Sequence, residues 1–259
     1  MQIIVLGHIL AVGIGLSLGL VGGGGSILAV PILIYVMGVS SREAIAMSLF
    51  IVGSVSLLGV IPYARQGFIK WRVVAEFTPA AMIGAYLGTQ LVKLPWVTDT
   101  VQLVSFGVVM LAASVLMIRK GSGRSKHSDL SSISGLVPQR FPTWLMIAAQ
   151  GLGVGLVTGA VGVGGGFLII PVLVLLSHTP MKTAVGTSLL IIALNSAAGF
   201  AGYLNQVSID WDLTLSFTLA AGLGTILGGQ LSRSIEASTL QKGFGYFVLA
   251  IAIFVLVQR

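Results

Sequence analysis

Displaced by 140 positions, the sequence aligns with itself without gaps. Gly15, Leu16, Gly19, Val21, Gly22, Gly24, Gly25, Leu28, Pro31 and Leu33 fall on Gly155, Leu156, Gly159, Val161, Gly162, Gly164, Gly165, Leu168, Pro171 and Leu173. The register continues with Ser48-Leu49 on Ser188-Leu189, Ser56 on Ser196, Gly59 on Gly199, Tyr63 on Tyr203, Gln66 on Gln206 and Trp71 on Trp211. It ends near Gln90-Leu91 on Gln230-Leu231, with more than a third of the positions identical. Apolar matches are common in any greasy chain, so the matched glycines, prolines and polar residues carry the signal. The chain is two copies of one unit, and each copy must fold into the same elements.

The solvent of that unit is lipid. Of the 259 residues, 56% are hydrophobic and 8% charged, and the mean hydropathy is +1.03. A soluble domain carries about 25% charged residues. Seven acids and fourteen bases cannot cover a watery surface of this size, which excludes a cytosolic enzyme, a disordered chain and a nucleic-acid-binding domain. The net charge of +7 belongs to loops, as membrane topology requires. Without cysteine there are no disulfides or thiolate sites. The first apolar run, Gln2 to Val21, lacks a basic leader and reads as a mature span. The expected partners are a lipid bilayer and a small solute, with no nucleic acid.

Each half reads as five apolar segments. They are predicted at about 2–21, 26–38, 43–63, 72–92 and 98–118, and at about 143–162, 167–177, 183–204, 211–231 and 238–257. Residues 119–142, with Arg119, Lys120, Arg124, Lys126 and Arg140, form a polar linker between a first repeat, 1–118, and a second, 143–259. The first pair of segments in each half is too long for one crossing and short for two, at 1.5 Å per helical residue. A hairpin that returns to the side it left resolves this. It also gathers eleven of the fourteen bases on one face, leaving only Arg42, Lys93 and Arg259 on the other. A single broken span would split them nine to five. The positive-inside rule selects the hairpin, with the linker cytoplasmic and both termini outside. Three spans then remain per half, so the halves are inverted. The predicted fold is an all-α polytopic membrane protein of two inverted repeats, each a Gly-interrupted helical hairpin plus three transmembrane helices. Such repeats are the common architecture of secondary transporters.

The chemistry is expected at the glycine runs. Gly22-Gly23-Gly24-Gly25-Ser26 and Gly162-Val163-Gly164-Gly165-Gly166 interrupt the two hairpins at equivalent places. Each glycine costs about 1 kcal/mol within a helix. One reason to keep them is close backbone packing. The other is an unwound segment whose following helix start offers amide N–H groups to an anion. Pro31 and Pro171 suit a helix that begins near the proline, or else mark a kink. Neither run is followed by Gly-Lys-Ser/Thr, which excludes a nucleotide P-loop. One segment later, Ser48, Ser54 and Ser56, and Thr187, Ser188, Asn195 and Ser196 in the second half, can complete an anion's hydrogen-bond shell or serve as interhelical glue, with Asn195 and the paired Ser48 and Ser188 favoured for the site. The candidate substrate-binding set is therefore Gly22, Gly23, Gly24, Gly25, Ser26, Ser48, Gly162, Gly164, Gly165, Gly166, Thr187, Ser188 and Asn195. Glu76 is the one acid well inside an apolar stretch and a proton-coupling candidate. Asp210 and Asp212 flank Trp211 as interfacial anchors. His8, His127 and His178 do not cluster, so neither metal nor cofactor is expected.

The pattern Gly-Leu-x-x-Gly-x-x-Gly-x-Gly-Gly from Gly15 to Gly25, then Leu28 and Pro31, and its copy from Gly155 to Pro171, resembles the TauE/SafE sulfite-exporter family, also called the toluene-sulfonate uptake permease family. Ala44-x-x-x-Ser48-Leu49 and Ala184-x-x-x-Ser188-Leu189 fit it too. So do Gly67 to Trp71 and Val207 to Trp211, although the second copy lacks the glycine. The resemblance implies movement of small sulfur-containing anions across the bacterial inner membrane, usually outward, with the glycine motifs contacting the sulfonate or carboxylate end. Sulfoacetate is the first candidate, because a dianion suits two facing sites. Sulfite is the second. A passive anion channel would need a continuous polar path, where the sequence has two discrete clusters. An intramembrane serine hydrolase built on Ser26 would need a histidine base, and His178 lies in a loop of the opposite half. The chain is read as a transporter and not an enzyme. A homodimer is compatible with its size.

Overall fold

The computed structural model describes residues 2–23, 25–92, 108, 110–119, 143–161, 166–177, 179–203 and 207–257. Gly24 and residues 162–165 of the glycine runs, and all of the linker beyond Arg119, lie outside the described residues. The first half comprises α1 (Gln2–Val21), α2 (Ser26–Pro31) with a π-helical turn (Ile32–Val36), α3 (Ser41–Arg65), α4 (Trp71–Val92) and α5 (Met110–Arg119). The second comprises α6 (Thr143–Val161), α7 (Gly166–Leu175), α8 (Met181–Tyr203), α9 (Trp211–Ser234) and α10 (Ala237–Val257). The described residues are all-helical, with no strand. Three helices are long and apolar enough to cross a membrane by length and composition among the described residues: Arg42–Arg65, Met181–Ala201 and Trp211–Ser232. Their outward faces carry Leu57, Leu215, Leu219 and Leu223, apolar side chains that suit a lipid surface.

Helix ends follow local chemistry. Asp210 caps α9, its Oδ1 accepting the Leu213 N–H at 3.0 Å. Ser40 precedes α3 in extended backbone and donates to Glu43 Oε2 at 2.8 Å. Glu43 Oε1 accepts from Ser208 at 3.0 Å, which joins the start of α3 to the loop before α9. At the other end of α3, Gly67 takes φ +72°. The Phe68 N–H then bonds the Tyr63 carbonyl at 2.9 Å and the Gly67 N–H the Ala64 carbonyl at 3.1 Å. This paired pattern closes a helix around a left-handed residue, the conformation glycine adopts most easily. Val207 holds the equivalent place in the second half.

The prolines correct one expectation. The helices do not begin near them. They begin at Ser26 and Gly166, and each proline is the sixth helical residue. Pro31 has no N–H for the carbonyl of Ile27, and the chain passes from α2 into the π turn directly after it.

Packing pairs each half with the other. Gly15 of α1 lies so close to the carbonyl of Ala221 in α9 that a Cβ there would overlap it, and Gly155 of α6 meets Ala81 in α4 the same way. Gly224 meets the Val12 carbonyl, and Gly84 meets the Leu152 carbonyl. Both sets are related by the 140-residue shift. Absent side chains let these backbones touch, which is how helices associate without a hydrophobic drive between them. In the centre, α3 crosses its own repeat counterpart α8 in the opposite direction. Phe50 packs on Phe200, with centroids 5.3 Å apart, Gly53 on Ser196, and Tyr63 on Gly186. Phe77 and Phe217, also repeat counterparts, are both buried in the core.

Candidate functional site

The first hairpin break meets the start of α7. Gly22 has φ +86°, and a Cβ on it would come within 2.9 Å of Ser188 Oγ and 3.0 Å of Val185 Cγ1. Gly23 lies directly against the carbonyl of Gly166, while Gly166 itself faces Ser26 Oγ and Ile192. Gly25 lies against the Ile14 carbonyl. The described glycines of the candidate set are thus all at places where a larger residue would collide with a neighbour. Ser26 ties the break together by donating to the Gly23 carbonyl at 2.8 Å.

Beside this junction is a cavity of about 440 Å³ between α4 and α8, floored by α2, α3 and α7 and walled by α6. Three predicted residues line it together: Ser26, Ser48 and Asn195. Tyr86, Thr158, Ser196 and Tyr203 supply further polar groups. Of these, the sequence offered only Ser196 as a possible ligand group, and none was placed in the site. A signal did exist for two of them, because Ser196 and Tyr203 are among the polar identities of the repeat. No acidic or basic side chain lines the described part of the cavity. Ser48 donates to the Ile45 carbonyl at 2.8 Å and Thr158 to the Gly155 carbonyl at 3.0 Å. These are bonds to helix carbonyls already served by the backbone, so a hydroxyl can release one to meet a ligand. Asn195 Oδ1 is buried and lacks a hydrogen-bond partner among the described residues. Such a group costs about 1–3 kcal/mol.

The other members of the candidate set lie elsewhere. Thr187 is fully buried, and its Oγ1 accepts the Lys70 backbone N–H at 3.1 Å. Ser188 is fully buried under Gly22 and donates to the Val185 carbonyl at 2.9 Å. Gly24, Gly162, Gly164 and Gly165 fall outside the described residues. Glu76 sits in the second turn of α4, pairing with Arg72 at 2.8 Å, and does not line the cavity.

Comparison with known proteins gives this architecture a family. The model of the family described as "Sulfite exporter TauE/SafE" matches residues 8–255. A probable membrane transporter protein of Xylella fastidiosa strain 9a5c is 32% identical over 252 residues, covering 94% of this chain and 91% of its own. The probable membrane transporter protein YunE of Bacillus subtilis is 27% identical, covering 91% and 92%. One from Haemophilus influenzae is 25% identical, covering 92% of each. No solved structure matches the chain. With nearly its whole length matched by the family model, the chain belongs to the TauE/SafE family of membrane transporters.

Proposed function

We propose that the protein is a secondary transporter that exports a small organosulfonate, sulfoacetate first among the candidates, across the bacterial inner membrane. The observation that carries this reading is the cavity between Ser26, Ser48 and Asn195, at the junction of the first glycine break with α7. Its polar groups are hydroxyls and an amide, which can bond sulfonate and carboxylate oxygens without a fixed countercharge. Gly22, Gly23, Gly25 and Gly166 bring the first break against α7 and α8 beside the cavity.

The repeats are inverted in this reading, and the antiparallel crossing of α3 with its counterpart α8 supports it. The basic loop around Lys70 lies by Thr179, two residues before Met181 and Lys182, so basic segments of the two halves share an end. That end is the cytoplasmic one, with the linker on the same side and both termini outside. Transport follows alternating access in this reading, and the discrete polar clusters of the two halves favour a carrier over a passive channel.

A second reading has one observation behind it. Desolvation cost rises steeply with charge, and the described lining holds no cation. This favours a singly charged sulfur oxyanion such as hydrogen sulfite. Thermal unfolding of the purified protein with sulfoacetate, sulfite, sulfate, taurine, acetate and chloride decides between the two. A ligand that binds only the folded state raises the midpoint with concentration. A selective shift with sulfoacetate supports the first reading, and one with sulfite alone supports the second. No shift with either removes both.

A further inference from the structure

The cavity has a counterpart that is closed. Moved by 140 positions, its lining residues Ser48, Ser196, Gly199, Ala85 and Tyr203 become Ser188, Ser56, Gly59, Thr225 and Tyr63. Ser48 and Ser196 are buried like their counterparts, but Ala85 and Tyr203 are partly exposed where Thr225 and Tyr63 are buried, at 1% and 5%. The helix packing differs in the same sense. By the repeat, α9 on α3 is the counterpart of α4 on α8, yet α9 lies along α3 more extensively than α4 lies along α8. Thr225 Cγ2 reaches to 3.1 Å from where a Cβ on Gly59 would stand, closing the space that remains open beside Gly199.

Specific bonds hold that side shut. The Tyr63 hydroxyl donates to the Gly19 carbonyl at 3.1 Å and lies 2.9 Å from Ser232 Oγ. Thr225 donates to the Gly15 carbonyl at 2.9 Å. These bonds join α3, α1 and α9. The open side cannot be fastened in the same way, because the counterparts of Ser232 and Thr225 are Val92 and Ala85. Within the closed side, Ser56 Oγ is fully buried and has no hydrogen-bond partner among the described residues, although its counterpart Ser196 lines the open cavity. A hydroxyl left unserved in a sealed, otherwise bonded region is what a ligand group would complete.

We propose that Ser56, Ser188 and Thr225 form a second half-site for the same small sulfonate or sulfur oxyanion, occluded here, with the contact of Tyr63 to Gly19 and Ser232 as its latch. This rests on the transporter reading above. Release of the latch parts α9 from α3 and opens the half-site to the membrane face opposite the present cavity.

The sequence contains no cysteine, so single cysteines report access directly. Ser196→Cys and Ser56→Cys would be exposed to a membrane-impermeant methanethiosulfonate reagent in right-side-out and inside-out vesicles. Ser196→Cys is expected to react from one face and Ser56→Cys from the other. Adding Tyr63→Phe should speed the Ser56→Cys reaction by about five- to tenfold, the population shift that one buried hydrogen bond commands. Should Ser56→Cys fold poorly, Thr225→Cys reads the same space, and Ser232→Ala breaks the latch from its other partner. Reaction of both sites from one face overturns the proposal, and so does failure of both closed-side cysteines to react in the unlatched background. The labelling needs no substrate. Opposite-face labelling with a silent anion panel would keep the half-site and remove the sulfur substrate, whereas same-face labelling with a positive panel would do the reverse.

Discussion

Gly23 of the first hairpin lies against the carbonyl of Gly166, so the first break touches the start of α7 backbone to backbone. Nothing larger than hydrogen fits at Gly23. Gly23→Val should separate the hairpins and misplace Ser26, which borders both the break and the cavity. We expect destabilisation by about 1–3 kcal/mol, the usual cost of overfilling a packed contact, together with loss of anion binding. Thermal unfolding of detergent-solubilised protein, with and without sulfoacetate, measures both.

The seams between α1 and α9 and between α4 and α6 allow a controlled comparison. Gly15→Ala and Gly155→Ala each drive a Cβ into a carbonyl of the facing helix and should cost about 1–3 kcal/mol. Gly13→Ala and Gly153→Ala sit two residues earlier, with nothing within 4 Å of the new Cβ. They should be neutral or gain up to about 1 kcal/mol from helix propensity. Equal unfolding midpoints for all four variants would refute the seam.

Gly67 isolates the backbone term. It has φ +72°, and nothing lies within 4 Å of where a Cβ would stand. Gly67→Ala should therefore lose about 1–2 kcal/mol through conformation alone. An unchanged unfolding midpoint would show that α3 can end another way.

Asn195→Leu separates binding from folding. The substitution removes a buried acceptor that has no partner among the described residues, a change that is often neutral or stabilising. Because it also removes the Nδ2 N–H donors, the part of the amide that can bond an anion, anion affinity should fall by about tenfold or more, the worth of one hydrogen bond to a charged group. Isothermal titration with the best-binding anion would test this, and intact affinity would take Asn195 out of the site.

Glu76→Gln should leave the pH dependence of transport unchanged, because Glu76 pairs with Arg72 outside the cavity lining. Its exposed partner makes this a weak ion pair, worth under about 1 kcal/mol. A shifted pH profile in proteoliposomes would restore it as a coupling group.

Much of the helix order was legible in the sequence, since long apolar runs and the repeat constrain it together. The described residues are all-helical, as those apolar runs require. Ser26, Ser48 and Asn195 were recognisable as polar residues at repeat-related breaks and spans. The walls of the cavity were not. Tyr86 and Thr158 come together only because α4 of one half packs on α6 of the other. Helices that meet protein on one side and lipid on the other are apolar all round, so no hydrophobic stripe marks which faces meet. Pro31 misled for a related reason: it sits where a helix start is common, but the glycines before it already free the chain to begin at Ser26.

The exchange of helices between halves has a consequence for biogenesis. Val12 finds its partner Gly224 only after about 200 further residues have been made, roughly 10–40 s at 5–20 residues per second. Throughout that interval α1 must wait in the bilayer with its glycine face exposed to lipid or to other chains. The same holds for α4 until α6 arrives. Assembly is thus withheld until the second copy inserts, and a truncated chain would present a seam of small residues with nothing to fill it, a surface that quality-control proteases of the membrane could read as unfinished.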